Sequence, residues 1–205
     1  MSLFDKLKDQ TTGAGAQSAD DTATNPTFAG VAFGGGGGRS VSVVFPTIPA
    51  TLEEFCSLPQ ASMQTPFDTA ALFIVALGLY KVDKNVSIAM INHLKGPQPM
   101  SNQDKSFLSD RMAQNGKVAF IAESYFSGAT PQNDYTPTEP YTIVVSDDAY
   151  SYQEQGYAGL KVCSGGADSP RPIKMRQAKD GKWYLWEYST ILSDIRAPES
   201  TNPWA

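Results

Sequence analysis

The side chains that could form a reactive centre in this sequence are few and far apart. The chain has one histidine, His93, and two cysteines, Cys56 and Cys163, which form no CxxC pair. These residues cannot supply a zinc site of the usual Cys/His type. A nucleophilic cysteine needs a base to form its thiolate, and His93 is the sole imidazole. His93 is predicted to lie in the last turn of a helix, where the helix dipole favours a protonated histidine. Its position therefore needs no catalytic explanation. We therefore predict no catalytic residue, no metal site and no cofactor.

The segment "SGGADSPRP" (residues 164–172) combines two glycines, a carboxylate and an arginine. An anion-binding loop of this kind normally leads into the N-terminus of a helix. Pro170 and Pro172 prevent a helix here, so the pattern favours a bend between two strands. The alternative is an anion-binding loop in which Arg171, Lys174 and Arg176 hold a carboxylate or phosphate.

The loop "ESYFSGATPQNDYTPTEPY" (residues 123–141) is the stronger candidate for recognition. It places Tyr125, Phe126 and Tyr135 around Asn133. Rigid aromatic rings with adaptable polar groups suit the binding of a peptide or a small polar ligand. A packed Ω-like loop, held together by its own tyrosines, is the other interpretation.

We predict that this loop, the 164–176 bend and the outer face of the last hairpin form one recognition surface. The candidate ligand-binding residues are Tyr125, Phe126, Asn133, Tyr135, Asp168, Arg171 and Arg176. The predicted function is a non-catalytic binding or protein-interaction module whose partner is an unknown protein or a small polar or anionic ligand. The alternative is a small hydrolase or transferase acting on a phosphate- or carboxylate-bearing substrate. That alternative requires Arg171, Asp168 and Tyr135 to converge on one closed pocket.

Charge and hydropathy exclude several classes of protein. The net charge is −5 and the sequence pI is about 4.8, which argues against a nucleic-acid partner or an anionic membrane surface. The longest apolar run, residues 70–80, is too short for a bilayer span, which takes about 20 residues. The N-terminus has no apolar signal region. We therefore expect a cytoplasmic protein with no membrane span.

The predicted secondary structure consists of a helical half followed by a half made of strands, as in an α+β fold. Capping residues predict about four helices, at 52–57, 66–81, 84–95 and 102–115. Apolar runs and turn residues then predict an antiparallel sheet of three to five strands, packed against the helical half. A short strand or extended segment is also expected at "SVSVVFP", residues 40–46.

The last two predicted strands flank Asp180-Gly181, which suggests a two-residue type I′ turn. That register places Lys174 opposite Glu187. The face predicted to point to the core carries Ile173, Met175, Trp186 and Tyr188. The opposite face exposes Trp183 and Leu185, so it is either covered by a helix or forms a contact surface. A homodimer through this 172–188 hairpin face is one such contact.

Residues 1–40 differ in composition from the rest of the chain. They are rich in Gly, Ala, Thr and Asp and include five consecutive glycines at 34–38. We predict a disordered head and a glycine linker, followed by a single domain at 41–205. The opening "SLFDKLK" has its apolar residues on one helical face. It is either a frayed end or a segment that docks on a partner or a membrane.

Four sequence blocks resemble an uncharacterised bacterial family found largely among Firmicutes. They are "GPQPMS", "SYFSGATPQNDYTP", "SGGADSPRPIKMR" and "WYLWE", in this order. The resemblance covers about residues 51–205 and omits the glycine-rich head. It implies an intracellular bacterial protein with one α+β domain, and it assigns no catalytic residue.

Overall fold

A computed structural model describes residues 3–4 and 38–201 of the chain. Four α-helices lie in the described part: α1 (Leu52–Ser57), α2 (Pro66–Gly78), α3 (Lys84–Lys95) and α4 (Asn102–Ala113). The five strands are β1 (Ser40–Phe45), β2 (Tyr141–Ser146), β3 (Tyr157–Val162), β4 (Arg171–Gln177) and β5 (Trp183–Glu187). The prediction of an α+β fold is confirmed.

The helices begin where the capping residues predict. The Thr51 hydroxyl accepts the N–H of Glu54 at 3.2 Å, and the Glu54 carboxylate accepts the N–H of Thr51 at 3.4 Å. These reciprocal bonds satisfy backbone donors that the first helical turn leaves free. Helices α2 and α4 end earlier than predicted, at Gly78 and Ala113, because each continues as a 3₁₀ turn.

The sheet is an antiparallel meander in the order β1-β2-β3-β4-β5. Strand β1 precedes the helices in the chain but pairs with β2, with Val43 opposite Ile143. Helix α2 lies against the sheet, and all of its residues are buried. Its apolar surface therefore forms the centre of the core, as its almost uniformly apolar sequence indicates.

The predicted turn of the last hairpin is wrong. The loop has three residues, because Ala178 pairs with Lys182 through a 3.0 Å bond from N–H to carbonyl. The Gly181 N–H also donates to the Ala178 carbonyl at 3.0 Å, and Gly181 has a φ of +81°. This is a type I turn followed by a left-handed glycine. The Asp180 carboxylate favours it by accepting the N–H of Lys182 at 3.0 Å.

The extra loop residue changes which side chains face the core. Met175 now lies opposite Leu185, and Leu185 is buried. Trp186 is 38% exposed, so its predicted core position is wrong, as is the predicted exposure of Leu185. A bulge between Lys174 and Met175 restores the register, so Lys174 lies opposite Glu187 as predicted. Its ammonium group, however, pairs with Glu154 at 2.6 Å.

The first described residues, Leu3 and Phe4, are buried in the core of the domain. Residues 5–37, and with them most of the predicted disordered head and glycine linker, lie outside the described residues. The proposed domain boundary at residue 40 stays a prediction. In the described part of the chain, no helix has the length and apolar character needed to cross a membrane.

Candidate functional site

An open groove of about 410 Å³ lies between the C-terminal end of α3 and the β4–β5 hairpin. Its lining residues are Lys95, Pro97, Gln98, Arg176, Gln177, Ala178, Lys179, Tyr184, Leu185 and Trp186. We call this site the hairpin groove.

The wall between helix and hairpin depends on close contact of Gly96 with Tyr184. Gly96 ends α3 with a φ of +55°, and a Cβ built on it would lie 2.2 Å from Cε1 of Tyr184. Only glycine therefore fits both the backbone conformation and the space. The Tyr184 hydroxyl donates to the Asp180 carboxylate at 2.8 Å, which fixes the ring beside the groove.

Aromatic rings orient the Arg176 side chain. Its guanidinium carbon lies 4.7 Å from the centroid of the Trp186 ring and 5.4 Å from that of Tyr157. The two rings meet edge to face at 5.6 Å. Among the described residues, Arg176 has no hydrogen-bonded or ion-paired carboxylate. Its planar donors are thus held by stacking and remain available to a ligand.

The groove carries a local excess of positive charge. Lys95, Arg176 and Lys179 line it, and its ten described lining residues include no carboxylate. The whole chain, by contrast, has a net charge of −5. A cleft lined by one sign of charge raises the local concentration of the opposite ion.

The carboxylate of Asp180, at the rim of the groove, already accepts two hydrogen bonds within the hairpin. The backbone N–H of Lys182 and then the Tyr184 hydroxyl hold the pKa of Asp180 below its ordinary value. Both groups donate to the ionised carboxylate and stabilise it. Asp180 therefore stays charged and anchors the hairpin. None of the residues that line the groove is an acid that could neutralise Lys95, Arg176 or Lys179.

His93 and Cys56 form a pair near the same end of α3. The Cys56 Sγ and His93 Nδ1 atoms are 3.8 Å apart. Burial, and then the charge of Lys182, lowers the pKa of His93, whereas burial raises the pKa of Cys56. Both shifts favour the neutral pair, the opposite of the thiolate and imidazolium of a reactive cysteine. The sequence does not indicate that Cys56, rather than Cys163, lies beside His93.

The aromatic loop adopts the packed form, with Tyr125, Phe126 and Tyr135 all buried. The Tyr125 hydroxyl donates to the Ile191 carbonyl at 2.8 Å, and the Tyr135 hydroxyl donates to the Arg196 carbonyl at 2.6 Å. Burial raises the pKa of Tyr135 to about 12 and that of Tyr125 further. These rings stabilise the fold and present no free surface.

Asn133 also uses its side chain within the loop. Its amide nitrogen donates to the carbonyls of Gly128 and Thr136, at 2.8 and 3.0 Å. Its amide oxygen accepts the N–H of Thr130 at 2.9 Å. The polar groups expected to contact a ligand are thus engaged in holding the loop together.

The structure does bring Asp168, Arg171 and Tyr135 together. They contact residues 194–196 of the chain rather than a closed pocket. The Arg171 guanidinium donates to the Asp194 carbonyl at 2.6 Å, and Asp168 pairs with Arg196 at 2.8 Å. With the bond from Tyr135, all three hold residues 194–196 against the domain. Of the seven predicted site residues, Arg176 lies in the hairpin groove.

The other charged and aromatic residues of the groove are not predicted from the sequence. The sequence predicts Trp186 in the core because it predicts a two-residue turn in this hairpin. The available signal was the cluster of Lys and Arg around the "KWYLWEY" strand. Finding the groove also requires knowing that α3 ends beside this strand, which is tertiary information.

The fold and the groove define an α+β domain with a cationic, aromatic-lined surface site. A family model described as a domain of unknown function (DUF6935) matches residues 47–199, and the chain belongs to this family. No curated protein and no solved structure matches the chain. The matched range contains every residue of the hairpin groove. It excludes Leu3, Phe4 and strand β1.

Proposed function

We propose that this protein is a non-catalytic binding module that recognises an anionic group through the hairpin groove. The observation that carries the proposal is the convergence of Lys95, Arg176 and Lys179 on one groove without a carboxylate in its lining. The ligand is a carboxylate- or phosphate-bearing molecule or an acidic segment of a partner protein. The proposed setting is a bacterial cytoplasm.

The geometry of Arg176 supports recognition of such a group. A guanidinium donates two parallel hydrogen bonds to a carboxylate or phosphate, and such charge-assisted bonds are roughly twice as strong as neutral ones. Stacking on Trp186 restricts the rotamers of Arg176 before a ligand binds, so less entropy is lost on binding. The exposed face of Trp186 and the ring of Tyr184 then offer apolar contact beside the charge.

The size of the groove is consistent with a small ligand or a few residues of a peptide. Its volume of about 410 Å³ lies within the range of about 300–1,000 Å³ that is common for ligand sites. Because the groove is open, one side of the ligand stays in contact with solvent. This geometry suits binding of a group that is carried by a larger molecule.

The lining chemistry favours binding over the alternative of a hydrolase or transferase. Such an enzyme needs a nucleophile and a base that face the substrate. The ten lining side chains include no imidazole, thiol or carboxylate. The neutral Cys56–His93 pair is not among them, which supports the non-catalytic proposal.

The test is a titration with defined anions, followed by charge removal. Inorganic phosphate, AMP, ATP, citrate and a poly-glutamate peptide would be screened by thermal shift, since a ligand that binds the folded state raises the melting temperature. We expect at least one of them to stabilise the wild type, and to do so less at high salt. The Lys95→Gln, Arg176→Gln and Lys179→Gln triple variant should then bind at least about tenfold more weakly, which corresponds to about 1.4 kcal/mol.

A control variant removes two cations from α4, with Lys105→Gln and Arg111→Gln, and is compared per charge removed with the triple variant. Neither side chain lines the groove, and neither forms an ion pair within the described residues. This variant should bind like the wild type, apart from a small change in long-range attraction. Equal losses of affinity in both variants would show a general charge effect and refute a specific groove.

A further inference from the structure

The domain has a second candidate binding site, which is apolar and buried, unlike the charged hairpin groove. The Phe4 side chain is fully buried and lies directly over Gly78, at the end of α2. A Cβ built on Gly78 would be 1.9 Å from Cζ of Phe4. The ring therefore occupies the space that any larger residue at position 78 would fill.

The backbone does not explain the glycine at position 78. Gly78 has a φ of −63° and a ψ of −31°, which any residue adopts in a helix. Glycine is also among the poorest helix formers, so a glycine at the end of an apolar helix needs a packing reason. Contact with the Phe4 ring supplies that reason. We call the space above Gly78 the Phe4 slot.

The walls of the slot include an aromatic ring and a cation. Phe126 packs against Phe4 with ring centroids 6.0 Å apart and an angle of 60° between the rings. The Lys81 Nζ atom lies 5.6 Å from the centroid of Phe4. It also pairs with Glu123 at 2.9 Å, and both of these side chains are largely buried. The aromatic wall and the nearby cation favour a phenylalanine over an aliphatic residue.

The slot and its occupant come from different parts of the chain. Gly78, Lys81, Glu123 and Phe126 lie within the family match at 47–199, whereas Phe4 lies outside it. Residues 5–37 connect Phe4 to the described residue Gly38. The domain thus forms a site that a separate segment fills, as in the binding of a tethered peptide.

We propose that the Phe4 slot is a binding site for a short apolar peptide segment with a phenylalanine, and that the chain's own residues Leu3 and Phe4 are its ligand in cis. The site holds Leu3 and Phe4 against α2 and the aromatic loop. A peptide with the same residues competes for it once the tethered copy is removed. The proposal does not depend on the hairpin groove.

The first test uses the full chain with Phe4→Ala and a fluorescent peptide of residues 2–8, SLFDKLK. The peptide should bind the Phe4→Ala protein and bind the wild type at least tenfold more weakly, because the wild-type slot is occupied. A control peptide with alanine in place of its phenylalanine should not bind. Equal binding to both proteins, or no binding to a folded Phe4→Ala protein, would overturn the proposal.

The second test is a double-mutant cycle on stability, which needs no peptide affinity. Gly78→Ala should lower the melting temperature of the wild type, because the new methyl group expels Phe4. In the Phe4→Ala background the same change should raise it, since alanine is the better helix former. The same sign in both backgrounds would refute the contact.

Light scattering decides between cis and trans occupancy. A monomeric wild type, unchanged by Phe4→Ala, supports binding in cis. A wild-type dimer that dissociates on Phe4→Ala would overturn the cis assignment and make the ligand the N-terminus of a second copy.

Discussion

The aromatic loop at 123–141 and the hairpin groove are both rich in aromatic residues, yet the two regions use them in opposite ways. In the loop, Tyr125 and Tyr135 are buried and donate to backbone carbonyls of the C-terminal segment. In the groove, Trp186 is partly exposed and stacks on Arg176. The partner of each ring therefore indicates its role. A ring bonded to buried backbone stabilises the fold, and a ring beside an unpaired cation is available to a ligand.

The proposed difference between the two regions is tested most directly by removing one ring from each. Tyr125→Ala should lower the free energy of unfolding by about 3–5 kcal/mol, because it leaves a large cavity and frees the Ile191 carbonyl. Trp186→Ala, the matched change, should cost about 1 kcal/mol or less, since the ring is partly solvated. Urea denaturation of both variants measures the difference.

For anion affinity we expect the larger loss in Trp186→Ala and the smaller loss in Tyr125→Ala. Trp186→Ala removes the surface that holds Arg176 and should weaken the binding of any anion found in the screen. Tyr125→Ala, measured at a temperature where it is folded, should leave that affinity unchanged. Similar costs in stability for the two variants would remove the distinction between the regions.

The fold was largely predictable because its signals are local. The caps at Thr51, Thr65 and Ser101 and the glycine at Gly96 fix helix ends within a few residues of sequence. The strands β2 to β5 are bounded by equally local turn residues. Neither prediction required knowledge of which elements touch.

The candidate site was less predictable because its signals are not local. Sequence alone cannot tell that Tyr135 donates to Arg196, 61 residues away, so the loop tyrosines looked available. The hairpin error has a similar cause. Asp180-Gly181 fits both a two-residue and a three-residue loop, and one residue of difference exchanges the faces of Leu185 and Trp186.

A substitution at Gly96, which contacts Tyr184 beside the groove, should have a smaller effect on stability than Tyr125→Ala. Gly96→Ala places a side chain at a φ of +55° and pushes it against the Tyr184 ring. We expect a loss of about 1–3 kcal/mol in stability from the strained conformation. Gly116→Ala is the matched control, since Gly116 also has a positive φ but no atom within 4 Å of its Cβ position.

The difference between these two variants reports the contact with Tyr184 together with the ψ of −117° at Gly96, which adds backbone strain of its own. If Gly96→Ala is the more destabilising and also weakens anion binding, the helix end positions the groove. If the two variants lose the same stability, only the backbone conformation matters at position 96. Unfolding and thermal-shift curves with and without the anion distinguish these results.

A still smaller effect is expected at Asp168, a predicted ligand-binding residue that pairs with Arg196. The Asp168 side chain is 94% exposed, and exposed ion pairs typically contribute about 0.2–1 kcal/mol. Asp168→Asn should therefore change stability by less than about 1 kcal/mol. Its effect on anion binding should be far smaller than that of the groove triple variant. A large loss of affinity in Asp168→Asn would move the site back to the 164–176 bend.

The smallest effect is a shift in the pKa of His93, which reports on the charge near the groove. Burial and then Lys182 hold this pKa below the ordinary value of 6.5. A depressed pKa means that the folded state resists protonation. The stability contributed by neutral His93 is therefore complete above pH 6.5 and is lost as the pH falls through the folded pKa. His93→Gln should flatten this part of the stability profile.

Because His93 is the chain's single histidine, NMR follows its titration without an assignment problem. Lys182→Gln should raise its pKa part of the way toward 6.5, because burial remains. Lys84→Gln, at the other end of α3, should leave it unchanged. Binding of an anion in the hairpin groove should also raise the pKa of His93, since the ligand offsets positive charge near the imidazole. An anion that stabilises the protein without moving this pKa binds away from the end of α3, and that result would separate anion binding from the groove.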